Sequence, residues 1–201
     1  MRSKPNQNIF ISYLQKGNKI LDLGCGVGRD SKMFLQNGFD VNSINGSSEL
    51  CKIASKNIGK PVKQMLFQDL TEASIYDGIW ACASLLHLSL DELKTVLPKI
   101  CKALKEDGIF YCSFKYGTSE LIRNGRFYLD MNEENFQNLI EEVKLFQIEK
   151  IWISNDVRKG RKHEKWLNCI VRKENVIYLI AFKNSNHIWL LFLFKKAIHL
   201  V

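Results

Sequence analysis

Several features are missing from this 201-residue chain, and each absence closes a class of function. No apolar run reaches the about 20 residues of a membrane-spanning helix. The two strongest, ENVIYLIAF and HIWLLFLFKKAIHLV, are both shorter. The opening MRSKPNQN has no apolar signal-peptide region, which points to a cytoplasmic protein. Six cysteines (Cys25, Cys51, Cys82, Cys101, Cys112, Cys169) form no C-x-x-C pair, and most sit in apolar segments. They read as reduced core thiols. The four histidines, His87, His163, His187 and His199, show no metal-ligand spacing, so no metal is expected. There is no zinc knuckle, no run of stacking aromatics and no N/D-P-P-Y/F catalytic sequence, so no nucleic-acid motif is present. No low-complexity linker or internal repeat divides the chain.

What is present fits one domain with room for a full core. The apolar fraction is 46% and the charged fraction 25%, both ordinary for a globular protein. Twenty-nine Lys and Arg against 21 Asp and Glu leave a formal charge of +8. A basic excess of this size is compatible with an anionic substrate or nucleic acid, but the more ordinary reading is a lysine-rich solvated surface.

The stretch Lys19 to Asp30, KILDLGCGVGRD, carries the most functional information. Ile20, Leu21 and Leu23 suit a buried parallel strand. The strand runs into Gly24, Gly26 and Gly28 and then into a helical segment, Arg29 to Gln36. Glycines at such a turn let the backbone approach a ligand closely, and the following helix presents unpaired N–H groups there. Asp22 offers an acceptor just before the turn. A dinucleotide fingerprint, G-x-G-x-x-G, would need a third glycine at position 29, which is Arg29. No phosphate-binding lysine follows, which excludes a P-loop.

Strand and helix patterns alternate along the chain, which predicts a parallel sheet covered by helices. The expected elements are a short helix over 9–15, strands near 19–23, 39–44, 62–67, 78–84 and 109–115, and helices near 29–37, 48–57 and 132–143. A further helix follows Ser89 through LDELKTVLPKICKALKED, kinked or broken at Pro98 and ended by Gly108. Residues 116–130 read as a loop. Strands near 146–153 and 166–172, with no helix between them, read as a hairpin that ends the sheet with an antiparallel strand.

ILDLGCGVGRD resembles the first motif of class I S-adenosylmethionine-dependent methyltransferases. GRDSKMFLQNGFDVNSINGSSEL is similar to their tellurite-resistance-related branch. The resemblance continues through FQDL, YDGIWACASLLHL, LKEDGIFYCSF and DVRKGRKHEKWLN, over about residues 9–173. It implies an α/β fold: a Rossmann-like seven-stranded, mostly parallel sheet with helices on both faces and an antiparallel terminal strand. It also implies S-adenosylmethionine as cofactor. Asp22, Gly24, Cys25 and Gly26 would contact the amino-acid part of that cofactor. Asn45, followed by Gly46, stands where the family has an acid that bonds the ribose hydroxyls. Asp69 would accept from the adenine amino group, with the Leu70 backbone at the ring edge. CASLLH would bring Ala83 to the cofactor and His87 near the reacting methyl group, where an imidazole can accept a proton.

Acceptor choice would fall to the loops after the later strands. Arg126 and Tyr128 lie in one. Arg158, Arg161, Lys165 and Trp166 lie in another, able to clamp an anionic or planar group. The expected division is a methyltransferase domain over 1–173, with a short N-terminal lid, and an apolar C-terminal extension over 174–201. A small molecule is the expected acceptor. The alternatives are an RNA or protein acceptor, and a catalytically weak or inactive cofactor-binding fragment.

Overall fold

Strand alternation sends successive side chains to opposite faces of a sheet, and here both faces carry apolar residues. The computed structural model describes residues 5–156, 158, 160, 161 and 163–174. The expected C-terminal extension lies outside the described residues apart from Glu174. The elements are α1 (Pro5–Ile11), β1 (Lys19–Leu23), α2 (Arg29–Gln36), β2 (Asp40–Asn45), α3 (Ser48–Ile58), β3 (Lys63–Gln64), β4 (Tyr76–Ala81), α4 (Leu90–Ala103), β5 (Leu104–Lys115), β6 (Glu120–Arg123), β7 (Arg126–Leu129), α5 (Glu133–Val143), β8 (Phe146–Asn155) and β9 (Lys165–Lys173).

Seven strands form one sheet in the order β3-β2-β1-β4-β5-β9-β8. Pairing is parallel from β3 through β5, and β9 runs antiparallel to both β5 and β8. The α/β class, the strand number and an antiparallel last strand agree with the sequence expectation, with that strand, β9, lying between β5 and β8 rather than at the sheet edge. Ile20 points to one face, where it joins Phe10 of α1, Phe34 of α2, Trp80 and Tyr111. The rings of Trp80 and Tyr111 stack there at 3.8 Å between centroids. Leu21 and Leu23 point to the other face, against Leu93, Val96 and Ile100 of α4 and Phe136 and Ile140 of α5. Helices therefore cover both faces.

The structure corrects several boundaries. The first helix is Pro5–Ile11 rather than 9–15, and β3 shrinks to two residues followed by a 3-10 turn, Phe67–Asp69. The strand expected over 78–84 is Tyr76–Ala81. The helix after Ser89 stops at Ala103 and runs through Pro98. Leu104 then pairs with Tyr76 in the sheet, across a bulge before Gly78 pairs with Ile109. Burying Leu104 completely in that pairing outweighs the helical spacing of LKED. The expected loop 116–130 contains a hairpin, β6–β7. Its turn is Asn124–Gly125, with φ of +51° and +74°, the positive pair that a type I′ turn requires.

Ser89 opens α4 with a capping box: its hydroxyl accepts the Glu92 N–H, and the Glu92 carboxylate accepts the Ser89 N–H. Ser89→Ala should lower the unfolding free energy by about 1 kcal/mol. Urea denaturation followed by circular dichroism measures this, and an unchanged midpoint would show that the box contributes nothing.

Candidate active site

In an open α/β sheet the crevice forms where strand order reverses, beyond the carboxyl ends of the strands. Here that point is β1, flanked by β2 on one side and β4 on the other. The Ile44 carbonyl at the end of β2 accepts two N–H groups of the turn after β1, those of Gly24 and Cys25, each at 3.0 Å. Gly24 has φ +86°, and a Cβ on it would lie 2.5 Å from the Ser84 Cβ. Ser84 is held in place by donating to the Leu23 carbonyl at 2.7 Å. Gly26, at φ +56°, faces open space, since a Cβ there would meet nothing within 4 Å. Among the described residues the N–H groups of Gly26 and Val27 have no hydrogen-bond partner. They stand just ahead of α2, whose N-terminus is electropositive. Val27 and Leu66, 47% and 56% exposed, present apolar surface beside this turn and the β3 end.

Asp22 is buried, and its carboxylate serves the fold. It accepts the Ser31 hydroxyl at 2.5 Å, and the Ser43 hydroxyl donates to Ser31 at 2.8 Å. The Asp22–Ser31 bond joins β1 to the first turn of α2. Burial, reinforced by the nearby Asp30 carboxylate, pushes the Asp22 carboxyl up to about 7. Asp30 accepts from Gln7 Nε2 at 2.7 Å, Arg29 Nε at 2.9 Å and Trp80 Nε1 at 3.1 Å, which fastens α1 to α2 and β4. Burial also pushes the Cys25 thiol up to about 12, which keeps it protonated and unreactive.

At the end of β2, Asn45 uses its side-chain oxygen to accept the Ser47 N–H at 3.0 Å, with Gly46 between them. Ser47 in turn caps α3 through the Leu50 N–H. Beyond β3, Asp69 ends the 3-10 turn exposed, with no side-chain partner among the described residues, while Leu70 is buried. Beyond β4, Ala83 holds φ +52°, a strained conformation for a residue with a Cβ, and its N–H donates to Ser113 Oγ at 2.9 Å.

His87 is exposed, with Nδ1 2.9 Å from the Phe127 carbonyl and its ring edge-on to Tyr128 at 4.9 Å. A carbonyl only accepts, so this contact puts the proton on Nδ1 and leaves Nε2 as an acceptor.

A cavity of about 470 Å³ opens on the α1 side of Ala83, lined among others by Arg29, Ser113, Asp156, Arg158 and Trp166. Arg158 grips the Asp156 carboxylate with two nitrogens, and Trp166 Nε1 donates to it at 3.1 Å. The guanidinium holds the Asp156 carboxyl far below the usual carboxylate range. The structure therefore brings Arg158 and Trp166 together with Ala83. It does not bring the rest of the expected substrate set there. Arg161 pairs with Glu164 at 3.7 Å, Lys165 lines a neighbouring groove, and Arg126 and Tyr128 lie on β7. Gly24, Asn45, Asp69 and His87 do not line this cavity either. Sequence reasoning passed over Asp156, Asn6 and Gln7. Only the D-x-R spacing of Asp156 and Arg158 gave a local signal.

Residues 21–112 match the family described as a methyltransferase domain. Over 119 residues the chain is 32% identical to YqeM of Bacillus subtilis, named as a candidate methyltransferase, a match covering 53% of this chain and 47% of that protein. The chain thus spans about half the length of the curated relatives it matches. Among solved structures, 1,6-didemethyltoxoflavin-N1-methyltransferase of Burkholderia thailandensis, bound to 1,6-didemethyltoxoflavin and S-adenosylhomocysteine, superposes with a TM-score of 0.74. It is 21% identical, over 86% of this chain and 78% of that one. A TehB-like S-adenosylmethionine-dependent methyltransferase of Corynebacterium glutamicum gives a TM-score of 0.65 at 20% identity, over 84% and 87%. The family match spans residues 21–112, and the chain shares the fold of these methyltransferases of known structure. Among the described residues no helix is long and apolar enough to cross a membrane.

The Asp22 carboxyl makes stability depend on pH. Between about 4 and 7 the folded chain keeps a proton that the unfolded chain has released, so this residue's contribution is lost as pH rises. The loss should reach up to about 4 kcal/mol at neutral pH. Asp22→Asn should flatten this part of the profile, giving a variant whose stability relative to the parent increases from pH 4 to pH 7. Denaturation at a series of pH values tests it, and parallel profiles would refute it.

Proposed function

We propose that this chain transfers a methyl group from S-adenosylmethionine to a small-molecule acceptor. The observation that carries the reading is the open glycine turn inside the methyltransferase domain, with two unpartnered amides ahead of α2. S-adenosylmethionine supplies a methyl group already activated on a sulfonium. The N–H groups of Gly26 and Val27 are placed to bind its carboxylate, with Gly24 and Cys25 shaping the turn beneath. Asn45 and Gly46 face the ribose, and Asp69 accepts a hydrogen bond from the adenine amino group, with the Leu70 backbone at the ring edge. Ala83 separates this crevice from the cavity of about 470 Å³, which falls within the usual range for small-ligand sites. Asp22 supports the turn from below.

The chain's own work is mainly positional: to hold donor and acceptor about 3–3.5 Å apart in a dry space. Arg158 and Trp166 form a wall of the acceptor cavity, and Arg126, Tyr128, Arg161 and Lys165 stand further out. His87 stands beside Tyr128, outside the lining of that cavity, and serves as a proton acceptor only for a nucleophile presented on the β7 side. We assign residues 1–173 to this domain. The string from Gly28 to Leu50 supports a place near the tellurite-resistance-related branch, but the cavity is much larger than a lone oxyanion requires and favours an organic acceptor.

Asn45 favours a second reading, a domain that binds the cofactor weakly and does not turn over. Its neutral amide replaces a charge-assisted acceptor, and its oxygen is already engaged by Ser47. Isothermal titration with S-adenosylhomocysteine tests the cofactor claim, and no heat at millimolar ligand would sink it. Asn45→Asp should tighten that binding by about 5- to 30-fold, equivalent to about 1–2 kcal/mol. Production of S-adenosylhomocysteine with any acceptor would dismiss the non-catalytic reading.

A further inference from the structure

A second groove, of about 480 Å³, lies beside the acceptor cavity, between the end of β5, the β6–β7 hairpin and the start of β9. Its lining includes Lys115, Arg123, His163 and Lys165, against Asp130 and Glu164. The two carboxylates are spoken for. Asp130, 5% exposed, is gripped by both terminal nitrogens of Arg123. Glu164 is paired with Lys115 and Arg161. The Lys165 ammonium and the His163 ring have no hydrogen-bond or ion-pair partner among the described residues. The acceptor capacity of the groove is therefore used internally, while cationic donors are left over.

The two spaces share a wall. Lys115 lines the groove and sets its ammonium 5.2 Å from the centroid of the Trp166 ring, and Trp166 lines the cavity beside Ala83. One molecule could reach both by passing this pair.

We propose that the groove binds the oxyanion tail of the methyl acceptor, a phosphate ester or diphosphate, while the reacting head lies in the cavity. This rests on the methyltransferase reading for the head, but the groove's affinity for an oxyanion stands independently of it. Lys165 and His163 supply direct contacts. Lys115 and Arg123 add N–H donors at the back, their charge balanced by the Glu164 and Asp130 carboxylates that hold them in place. A multiply charged tail suits this arrangement better than a carboxylate because several donors converge on it.

The test is isothermal titration of the full chain with pyrophosphate, alongside Lys165→Gln and a remote surface control, Lys52→Gln. S-adenosylhomocysteine is titrated into each. The parent should bind pyrophosphate, Lys165→Gln should weaken it by about 10-fold, and Lys52→Gln should leave it unchanged. Retained S-adenosylhomocysteine binding would show that the variant is folded. No pyrophosphate binding by the parent at about 10 mM would overturn the proposal. So would equal binding by Lys165→Gln, or equal weakening by both variants. Binding of a short RNA in place of pyrophosphate would overturn it in favour of a nucleic-acid surface. Pyrophosphate binding lost in Lys165→Gln, with S-adenosylhomocysteine binding absent from every form, would support the groove and count against the methyltransferase reading.

Discussion

The carbonyl of Ile44 organises the centre of this molecule. It takes the N–H groups of both Gly24 and Cys25, so the chain leaving β1 is pulled toward β2 before it can turn upward into α2. Each bond is worth only about 1 kcal/mol on its own. Their effect is directional. With those two amides turned inward, the next two, of Gly26 and Val27, are left facing outward beside a bare α-carbon. Ser84 then closes against Gly24 from the β4 side, and Asp22 anchors α2 from below. The crevice results from where three strands end, with one carbonyl deciding which amides remain free.

Around this turn the acidic residues divide according to their surroundings. Asp22 is buried among hydroxyls with another carboxylate nearby, and it holds its proton toward neutral pH. Asp156, gripped by Arg158 and bonded by Trp166, stays ionised. The first is part of the scaffold under the turn, and the second is part of the wall of the cavity beside Ala83. Between them Asp30 collects bonds from α1, α2 and β4, so the N-terminal helix is locked to the sheet through polar contacts as well as through Phe10.

Much of this architecture was legible in the sequence because its strongest signals were local. The apolar burst of Ile20, Leu21 and Leu23 ending in spaced glycines has few physical interpretations, and Arg29 in place of a third glycine removes one of them. Asn45 closes β2 and Asp69 closes the 3-10 turn after β3, both near strand ends that the alternation of apolar segments already marked. Other features depended on distant partners. Nothing in LKED announces that Leu104 pairs with Tyr76, so the helical period ran on too far. The β6–β7 hairpin was missed although Asn124–Gly125 is a recognised turn pair, because its flanking strands are four residues each and poorly alternating. Asp156 has a local partner in Arg158, but its bond to Trp166, ten positions away, forms only once β8 and β9 pair. Asp22 illustrates the opposite problem: its place in the motif was clear, but its engagement by Ser31, which is itself held by Ser43, required three elements to be assembled.

The left-handed backbone at Ala83 bears on how this protein could diverge. After glycine, asparagine and aspartate adopt such a backbone most readily, and β-branched residues fare worst there. Libraries aimed at reshaping the adjoining cavity would find position 83 restricted, with valine, isoleucine and threonine disfavoured. Neighbours such as Ser154 and Asn155, on the far side of the same cavity and at ordinary angles, are where chemical variety could accumulate.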